Sequence, residues 1–224
     1  MSKRYNEAVK FIEKEKQYSV EEAIALAKQT STVKFDASIE IHIRLNIDTK
    51  QTDQKIRTQI QLPHGTGKSI KIAAFVTPAK EKEAKDAGAD IVGGEELVKE
   101  IKETGKTDFD MAVAEPAMMK SLAVIAKALG QRGIMPNPKT GTVTPDIAKA
   151  VKELKGGKVD VKTDDTGVIH QTIGKVSFDD QKLLDNFKAL REAILRAKPQ
   201  SVKKEFISSI TVSSSMGPGI RLAK

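Results

Sequence analysis

The chain has 224 residues, and its 38 Lys and Arg against 30 Asp and Glu give a formal net charge of +8. That length allows one large domain or two small ones. A hydrophobic share of 39% with both charge signs abundant is typical of a folded protein and excludes disordered and fibrous classes. The chain contains no cysteine, which excludes disulfide scaffolds, thiolate zinc sites, iron–sulfur clusters and cysteine nucleophiles and agrees with a reducing compartment.

The charges are spread along the chain rather than gathered in a basic tail. If a polyanion binds, the fold must therefore assemble its site from separated positions. The N-terminal segment 1–16 mixes apolar and charged residues, unlike a secretory signal, and no run of about 18 apolar residues predicts a membrane span. We predict a cytoplasmic protein that does not enter a membrane.

The first part of the chain begins with helical patterns and changes to strand patterns. Ser19 and Glu22 form a capping box before a helix, and Ala8, Phe11 and Ile12 share the apolar face of an earlier one. Two stretches then alternate apolar and polar residues, which predicts strands with one buried face and one solvent-facing face. These stretches are residues 39–47 and 56–62.

A different pattern begins after the segment from Pro63 to Gly67. Nearly continuous apolar strands alternate with charged helices, which predicts a compact, mostly parallel α/β unit. The predicted strands are 70–76, 90–92 and 109–114, and the predicted helices are 79–87, 95–102, 117–129 (ending at Gly130) and 146–154 (ending at Gly156 and Gly157).

Alternating strands return in the last part, at 159–161, 168–176 and 206–215, with a long amphipathic helix at 179–197. The fold class is therefore predicted as mixed α/β and α+β. A discontinuous α+β domain of residues 1–66 plus 159–224 would carry an inserted Rossmann-like α/β domain of residues 67–158. The two glycine-rich segments that would connect these domains, near residues 65–67 and 156–158, favour a hinge between them.

The residues offer little support for catalysis. Gly67-Lys68-Ser69 resembles the end of a phosphate-binding loop, but the glycine required five positions earlier is Leu62. His42, His64 and His170 lack metal-ligand spacing, and no serine lies on a nucleophile-elbow motif. We predict a protein that is not an enzyme and needs no metal or cofactor; a nucleotide-binding α/β enzyme is the alternative.

Two loops combine glycine and proline with polar side chains. The loop 131–141 could grip phosphates or merely connect elements of the inserted domain. The segment 213–219 could be a frayed tail or a contact loop, because chain termini are often mobile.

Taken in order, several segments resemble signature blocks of the bacterial L-one family of large-subunit ribosomal proteins, and the resemblance covers essentially the whole chain. These segments are Lys34-Phe35-Asp36, residues 62–68, residues 87–95, residues 133–143, residues 166–170 with Ile173-Gly174-Lys175, and Met216-Gly217-Pro218.

The resemblance implies a split domain with an insertion and binding to a folded region of large-subunit ribosomal RNA. It further implies a mobile stalk beside the exit site that assists release of deacylated tRNA, repression of the protein's own mRNA, and a monomer outside the ribosome. The implied RNA-binding residues are Lys34, Phe35, Ser38, His170, Lys175, Ser213, Ser215, Met216, Gly217 and Pro218. Serines stand at 213–215 where threonines are common in the family, which keeps the hydroxyl groups.

The residue types agree with this implication. Folded RNA is recognised by its shape, phosphates and sugar hydroxyls, which suits a surface of hydroxyls, amides and scattered cations. Aromatic residues make up only 4% of the chain, which argues against a stacking platform for single strands. This interpretation requires Phe35 and the turn at Met216 to lie on the same side of the molecule.

Overall fold

The computed structural model describes residues 3–13, 16–202 and 205–223. Strands and helices both contribute, so the predicted mixed α/β class is confirmed. The chain divides into two compact units, one of residues 1–67 with 157–224 and one of residues 68–156. The prediction had put the junctions at 66/67 and 158/159. We refer to these as the terminal unit and the inserted unit.

The helices and strands are numbered in chain order. They are α1 (Lys3–Val9), α2 (Val20–Gln29), β1 (Ser38–Leu45), β2 (Arg57–Gln61), β3 (Ile72–Phe75), α3 (Glu81–Asp86), β4 (Ile91–Gly93), α4 (Glu95–Thr104), β5 (Met111–Ala114), α5 (Met119–Leu122), α6 (Ala126–Gln131), α7 (Ile147–Lys155), β6 (Lys158–Lys162), β7 (Val168–Lys175), α8 (Asp180–Arg196), β8 (Ile207–Ser214) and β9 (Ile220–Arg221).

The terminal unit is built on a four-stranded antiparallel sheet in the order β7-β1-β8-β9, beside a two-stranded sheet of β2 and β6. Ile39, Ile41 and Ile43 are fully buried on the inner face of β1, so the alternation read from the sequence is confirmed. They share one core with the apolar stripes of α2 and α8. Removing each such side chain from water stabilises the fold by roughly 1.5–3 kcal/mol.

The inserted unit contains a three-stranded parallel sheet in the order β4-β3-β5. All four residues of the central strand β3 are fully buried, which explains its continuous apolar sequence. Separate core clusters pack α4, α5 and α6 on one side, and α3 and α7 on the other. The predicted parallel α/β arrangement is thus what this unit has.

Three local predictions need correction. The helix predicted at 117–129 is broken by 3₁₀ turns at 116–118 and 123–125, so Gly130 lies inside α6 instead of ending a helix. Helix α1 ends at Val9, which leaves Phe11 outside it and 56% exposed. Strand β9 was not predicted. Within the described ranges, no helix combines the length and apolar character needed to cross a membrane.

Candidate nucleic-acid interface

The outer face of the four-stranded sheet is lined with polar side chains, because the residues between the buried apolar ones point to the other side. The strand register places His42 between His170 and Thr211, and Glu40 between Thr172 and Ser213. We call this surface the polar face. It comprises Ser38, Glu40, His42 and Arg44 of β1, His170, Thr172 and Lys175 of β7, Ser209, Thr211 and Ser213 of β8, and Arg221 of β9.

Distant parts of the chain meet where β1 begins. Ser38 lies opposite Lys175 in the sheet, and its carbonyl oxygen accepts a hydrogen bond from the amide of Ser215 at 2.9 Å. The amide of Ser38 in turn donates to Ser215 Oγ at 3.3 Å. Lys175 Nζ donates to the carbonyl oxygen of Asp36 at 3.2 Å. We call these four residues the strand-end cluster.

Two large apolar side chains flank this cluster in sequence. Phe35 precedes Asp36 and is 55% exposed, and Met216 follows Ser215 and is 68% exposed. Phe35 and the Met216 turn therefore belong to the same end of the sheet, as the sequence interpretation required. Lys34 beside them is also exposed.

The turn that carries Met216 has an unusual and constrained backbone. Met216 adopts φ 62°, a left-handed conformation that non-glycine residues rarely take and that clusters at functional sites. The amide of Gly217 donates to the carbonyl oxygen of Ser214 at 2.8 Å, and a Cβ on Gly217 would lie only 2.2 Å from Ser214 Oγ. Close packing therefore fixes the turn.

Strand β9 pairs with β8 beyond this turn, at Thr211 with Arg221 and at Val212 with Ile220. The segment 213–219 consequently contains the end of β8 and its connection to β9, and the frayed-tail alternative is wrong. Pro218 is buried, so it supports the turn and offers little surface of its own.

A histidine pair occupies the middle of the polar face. His42 Nδ1 and His170 Nδ1 are 2.7 Å apart, and His42 Nε2 is 3.0 Å from Ser213 Oγ. Burial lowers the pKa of His42, the charge of His170 lowers it further, and Glu40 opposes the shift. His170 Nε2 lies 3.4 Å from Asp164 Oδ2.

Asp164 anchors the turn that leads into β7. Hydrogen bonds from the amide of Val168 foremost, and from the hydroxyl and amide of Thr166, lower the pKa of Asp164 to about 2. The carboxylate is therefore charged at neutral pH and can accept a hydrogen bond from His170 Nε2.

The structure groups the predicted site residues unevenly. Ser38, Lys175 and Ser215 gather at the start of β1, with Phe35 and Met216 next to them in the chain. His170 and Ser213 lie farther along the same face. Sequence reasoning missed four residues that the register adds to this face, although the alternation within β7 and β8 could have revealed three of them. These are Thr172, Ser209, Thr211 and Arg221.

The inserted unit has a second place where a ligand could be expected. In open α/β sheets, ligands bind at the carboxyl ends of the strands where the strand order reverses, here beside β3 and β5. Glu115 fills this position: its Oε2 accepts hydrogen bonds from the amide and hydroxyl of Thr77 at 3.2 and 2.9 Å, and Oε1 lies 3.3 Å from Lys80 Nζ. Burial raises the pKa of Glu115, but these partners outweigh it, so the pKa is lowered overall.

Polar side chains of two other motifs in the inserted unit are also paired within that unit. Lys68 Nζ donates to Asp110 Oδ1 at 3.0 Å. In the loop 131–141, the Arg132 guanidinium donates to the carbonyl and hydroxyl oxygens of Thr107. These contacts favour a connecting role for the loop.

Comparison with known proteins identifies relatives along almost the whole chain. The family model described as "Ribosomal protein L1p/L10e family" matches residues 26–218. Proteins named "Large ribosomal subunit protein uL1" from Thermosipho africanus and Fervidobacterium nodosum are 51% and 52% identical over 221 residues, covering 99% of this chain and 95% and 94% of theirs. The protein of that name from Mycoplasma capricolum is 52% identical over 222 residues, 99% of this chain and 98% of its own.

A family match over most of the chain, with about half of all residues identical across nearly full lengths, is decisive, and the family is one of ribosomal proteins and not of enzymes. The chain belongs to the ribosomal protein L1p/L10e family.

Proposed function

We propose that the chain binds large-subunit ribosomal RNA through the polar face and the strand-end cluster of its terminal unit. The observation that carries the proposal is the convergence of segments 34–38, 175 and 215–217 at one end of one sheet. Residues far apart in sequence form there a single surface of hydroxyls, backbone groups and cations. Such a preformed surface suits RNA whose shape is fixed before binding.

The chemistry of the surface fits ribose and phosphate better than base edges. Ser213, Ser215 and Thr211 supply hydroxyls that can both donate to and accept from 2′-hydroxyl groups. Lys34 and Lys175 supply positive charge for phosphates, while Asp36 and Glu40 limit the net charge of the surface. We therefore expect a smaller dependence of affinity on salt than an arginine-rich tail would give.

The exposed thioether of Met216 provides the apolar contact at the centre of the proposed site. The substitution Met216→Asp places a carboxylate against RNA phosphates, yet aspartate tolerates the left-handed backbone. We expect affinity for transcribed large-subunit ribosomal RNA to fall by roughly 30-fold or more, equivalent to about 2 kcal/mol or more. A gel-shift titration at physiological salt measures this change.

The matched control is Leu195→Asp. Leu195 is also an exposed apolar side chain of the terminal unit, 44% exposed, but it lies on α8, which packs against the opposite side of the sheet. RNA affinity should stay within about twofold of wild type, which corresponds to less than 0.5 kcal/mol. Equal effects of the two substitutions, or none from Met216→Asp, would remove the turn from the proposed site.

Two further roles follow from a surface that accepts folded RNA. We propose that the chain represses its own mRNA when that message carries a structure resembling the ribosomal site, because both RNAs would compete for the same residues. Adding ribosomal RNA fragments to a translation reaction should then relieve repression, and Met216→Asp should abolish it. A repressor activity that survives Met216→Asp would require a separate site.

We also propose that the chain, bound in the stalk beside the exit site, assists release of deacylated tRNA. Ribosomes reconstituted without the protein should release labelled deacylated tRNA more slowly, and adding the full chain should restore the rate. Unchanged release in its absence would contradict this role.

The alternative of a nucleotide-binding enzyme finds little support in the inserted unit. Glu115 places its own carboxylate at the strand ends where a phosphate would have to bind, and the phosphate would meet a like charge. Calorimetric titration with ATP and NAD should give no heat of binding. Saturable binding of either would favour the enzyme alternative.

A further inference from the structure

The histidine pair on the polar face brings two ring nitrogens to one point. His42 and His170 are directly opposed on β1 and β7, with ring centroids 4.9 Å apart and the planes at 62°. Their Nδ1 atoms are 2.7 Å apart. In the metal-free pair only one of these nitrogens can carry the shared proton, since one must donate and the other accept.

The outward nitrogen of each ring has its own partner. His42 Nε2 is 3.0 Å from Ser213 Oγ, and His170 Nε2 is 3.4 Å from Asp164 Oδ2. Both oxygens can accept an N–H bond, so both rings can carry their proton on Nε2 and leave an Nδ1 lone pair facing inward. A histidine that binds a metal usually donates its other N–H to such a partner, which fixes the ring orientation.

We propose that His42 Nδ1 and His170 Nδ1 form a two-histidine site for a divalent transition metal of the zinc class. Zinc–nitrogen bonds are about 2.0–2.1 Å, so two such ligands are about 2.9 Å apart at a right angle and about 3.3 Å apart at a tetrahedral angle. The observed 2.7 Å requires the rings to separate by only a few tenths of an ångström. Where both Nε2 atoms already carry a proton, binding releases the shared Nδ1 proton; in the neutral pair that proton moves to the vacant Nε2 of the ring that carried it, and none is released.

Charge and access suit a bound cation. Glu40 lies next to His42 on the same face, and Asp164 contacts His170, so two carboxylates near the pair offset the charges of Arg44 and Arg221 on this face. The His170 side chain is 55% exposed, which lets a hydrated ion approach. No cluster of three or more His or carboxylate side chains able to hold a metal occurs in the part of the chain that the structure describes. Water would thus complete the coordination and the ion would exchange readily.

The test is a titration of the full chain with ZnCl₂ in a buffer without phosphate or chelator, followed by NMR of the imidazole nitrogens. We expect one saturable zinc site, and we expect zinc to change the NMR chemical shift of Nδ1 in both His42 and His170. His42→Gln and His170→Gln should each weaken binding by about tenfold or more, and Ser213→Ala, which removes an outer partner, by about tenfold. MgCl₂ should produce none of these changes, because magnesium prefers oxygen ligands.

His64 provides a matched control, since its Nε2 lies 3.3 Å from Asp185 Oδ2 in the same unit without a second histidine contact among the described residues. His64→Gln should leave zinc affinity unchanged, and melting curves would establish that all variants are folded. Equal zinc affinity of wild type and folded His170→Gln, coordination through Nε2, or loss of binding only in His64→Gln would overturn the proposal.

Discussion

The three-stranded parallel sheet and the four-stranded antiparallel sheet of this protein differ in how their polar groups are paired. At the strand ends of the parallel sheet, Glu115 takes the amide and hydroxyl of Thr77 and the ammonium of Lys80 as partners, so the place where α/β folds commonly bind ligands is filled from within. On the antiparallel sheet, hydroxyls and cations line an outer face, and Phe35 and Met216 stand exposed at its end.

Under the proposed function, the more familiar fold and the RNA-binding surface lie in different units. The parallel unit has the more familiar architecture, yet its polar groups satisfy one another. The split unit exposes a strained turn and apolar side chains, which cost stability unless a partner covers them. Fold type alone would direct attention to the inserted unit, whereas the proposed RNA-binding surface lies on the terminal unit.

Gly217→Ala should have the largest effect on stability and RNA binding. The new Cβ would lie 2.2 Å from Ser214 Oγ and 3.1 Å from the Ser214 carbonyl oxygen. The turn must shift, so we expect a loss of roughly 2 kcal/mol in the free energy of unfolding together with weaker RNA binding. Urea denaturation and gel shift measure the two effects. A stable variant with wild-type affinity would show that the turn is not rigid.

Glu115→Gln tests whether the contacts of Glu115 with Thr77 and Lys80 in the inserted unit stabilise the fold. Removing the charge should lower the free energy of unfolding by about 1–2 kcal/mol at pH 7 and leave RNA affinity unchanged. Because the pKa of Glu115 is lowered in the folded state, its stabilisation is present above the unfolded-state pKa and is lost as the pH falls through the folded-state pKa.

The stability difference between wild type and Glu115→Gln should therefore shrink in acid, which urea titrations at several pH values would detect. A difference that grows as the pH falls would mean that the pKa of Glu115 is raised instead.

Ser214→Ala tests whether the buried Ser214 hydroxyl beside the Met216 turn lowers the free energy of unfolding. Ser214 is 3% exposed, and among the described residues its Oγ has no hydrogen-bond partner. Removing the unsatisfied buried hydroxyl, which Ser→Ala replaces by hydrogen, should raise the free energy of unfolding by about 1 kcal/mol, with RNA affinity unchanged. A destabilised variant would indicate that the hydroxyl has a partner, such as water.

Gly130→Ala is the counterpart of Gly217→Ala in the inserted unit. Gly130 lies inside α6, and apart from its chain neighbours and the backbone of the helix itself no described atom is within 4 Å of an added Cβ. Alanine should stabilise the helix by roughly 0.5–1 kcal/mol, as thermal unfolding would measure. If Gly130→Ala also lowered the free energy of unfolding, the loss caused by Gly217→Ala would not be specific to the packing of the turn.

The sequence predicted those elements whose signals are local. The alternation in β1 and the buried stripe of α8 both appear as predicted, and Ser19 and Glu22 form the expected capping box. Helix breaks near Pro116 escaped prediction because the apolar spacing of a 3₁₀ turn differs little from that of an α-helix.

The candidate site was only partly predictable, because it depends on strand register. Nothing local pairs His42 with His170, which are 128 residues apart. The composition of 213–219 suits a tail and a turn equally, and only the pairing of β9 with β8 distinguishes them. Chain segments that meet through a sheet cannot be matched from patterns within each segment.

Hydrogen exchange of the full chain, with and without large-subunit ribosomal RNA, tests the central claim most directly. We expect RNA to slow exchange at the amides of Phe35, Lys175 and residues 215–217, and to leave those of Thr77 and Glu115 unchanged. Protection centred on Thr77 and Glu115, with no change at the turn of Met216, would contradict the assignment of the RNA-binding surface to the antiparallel sheet.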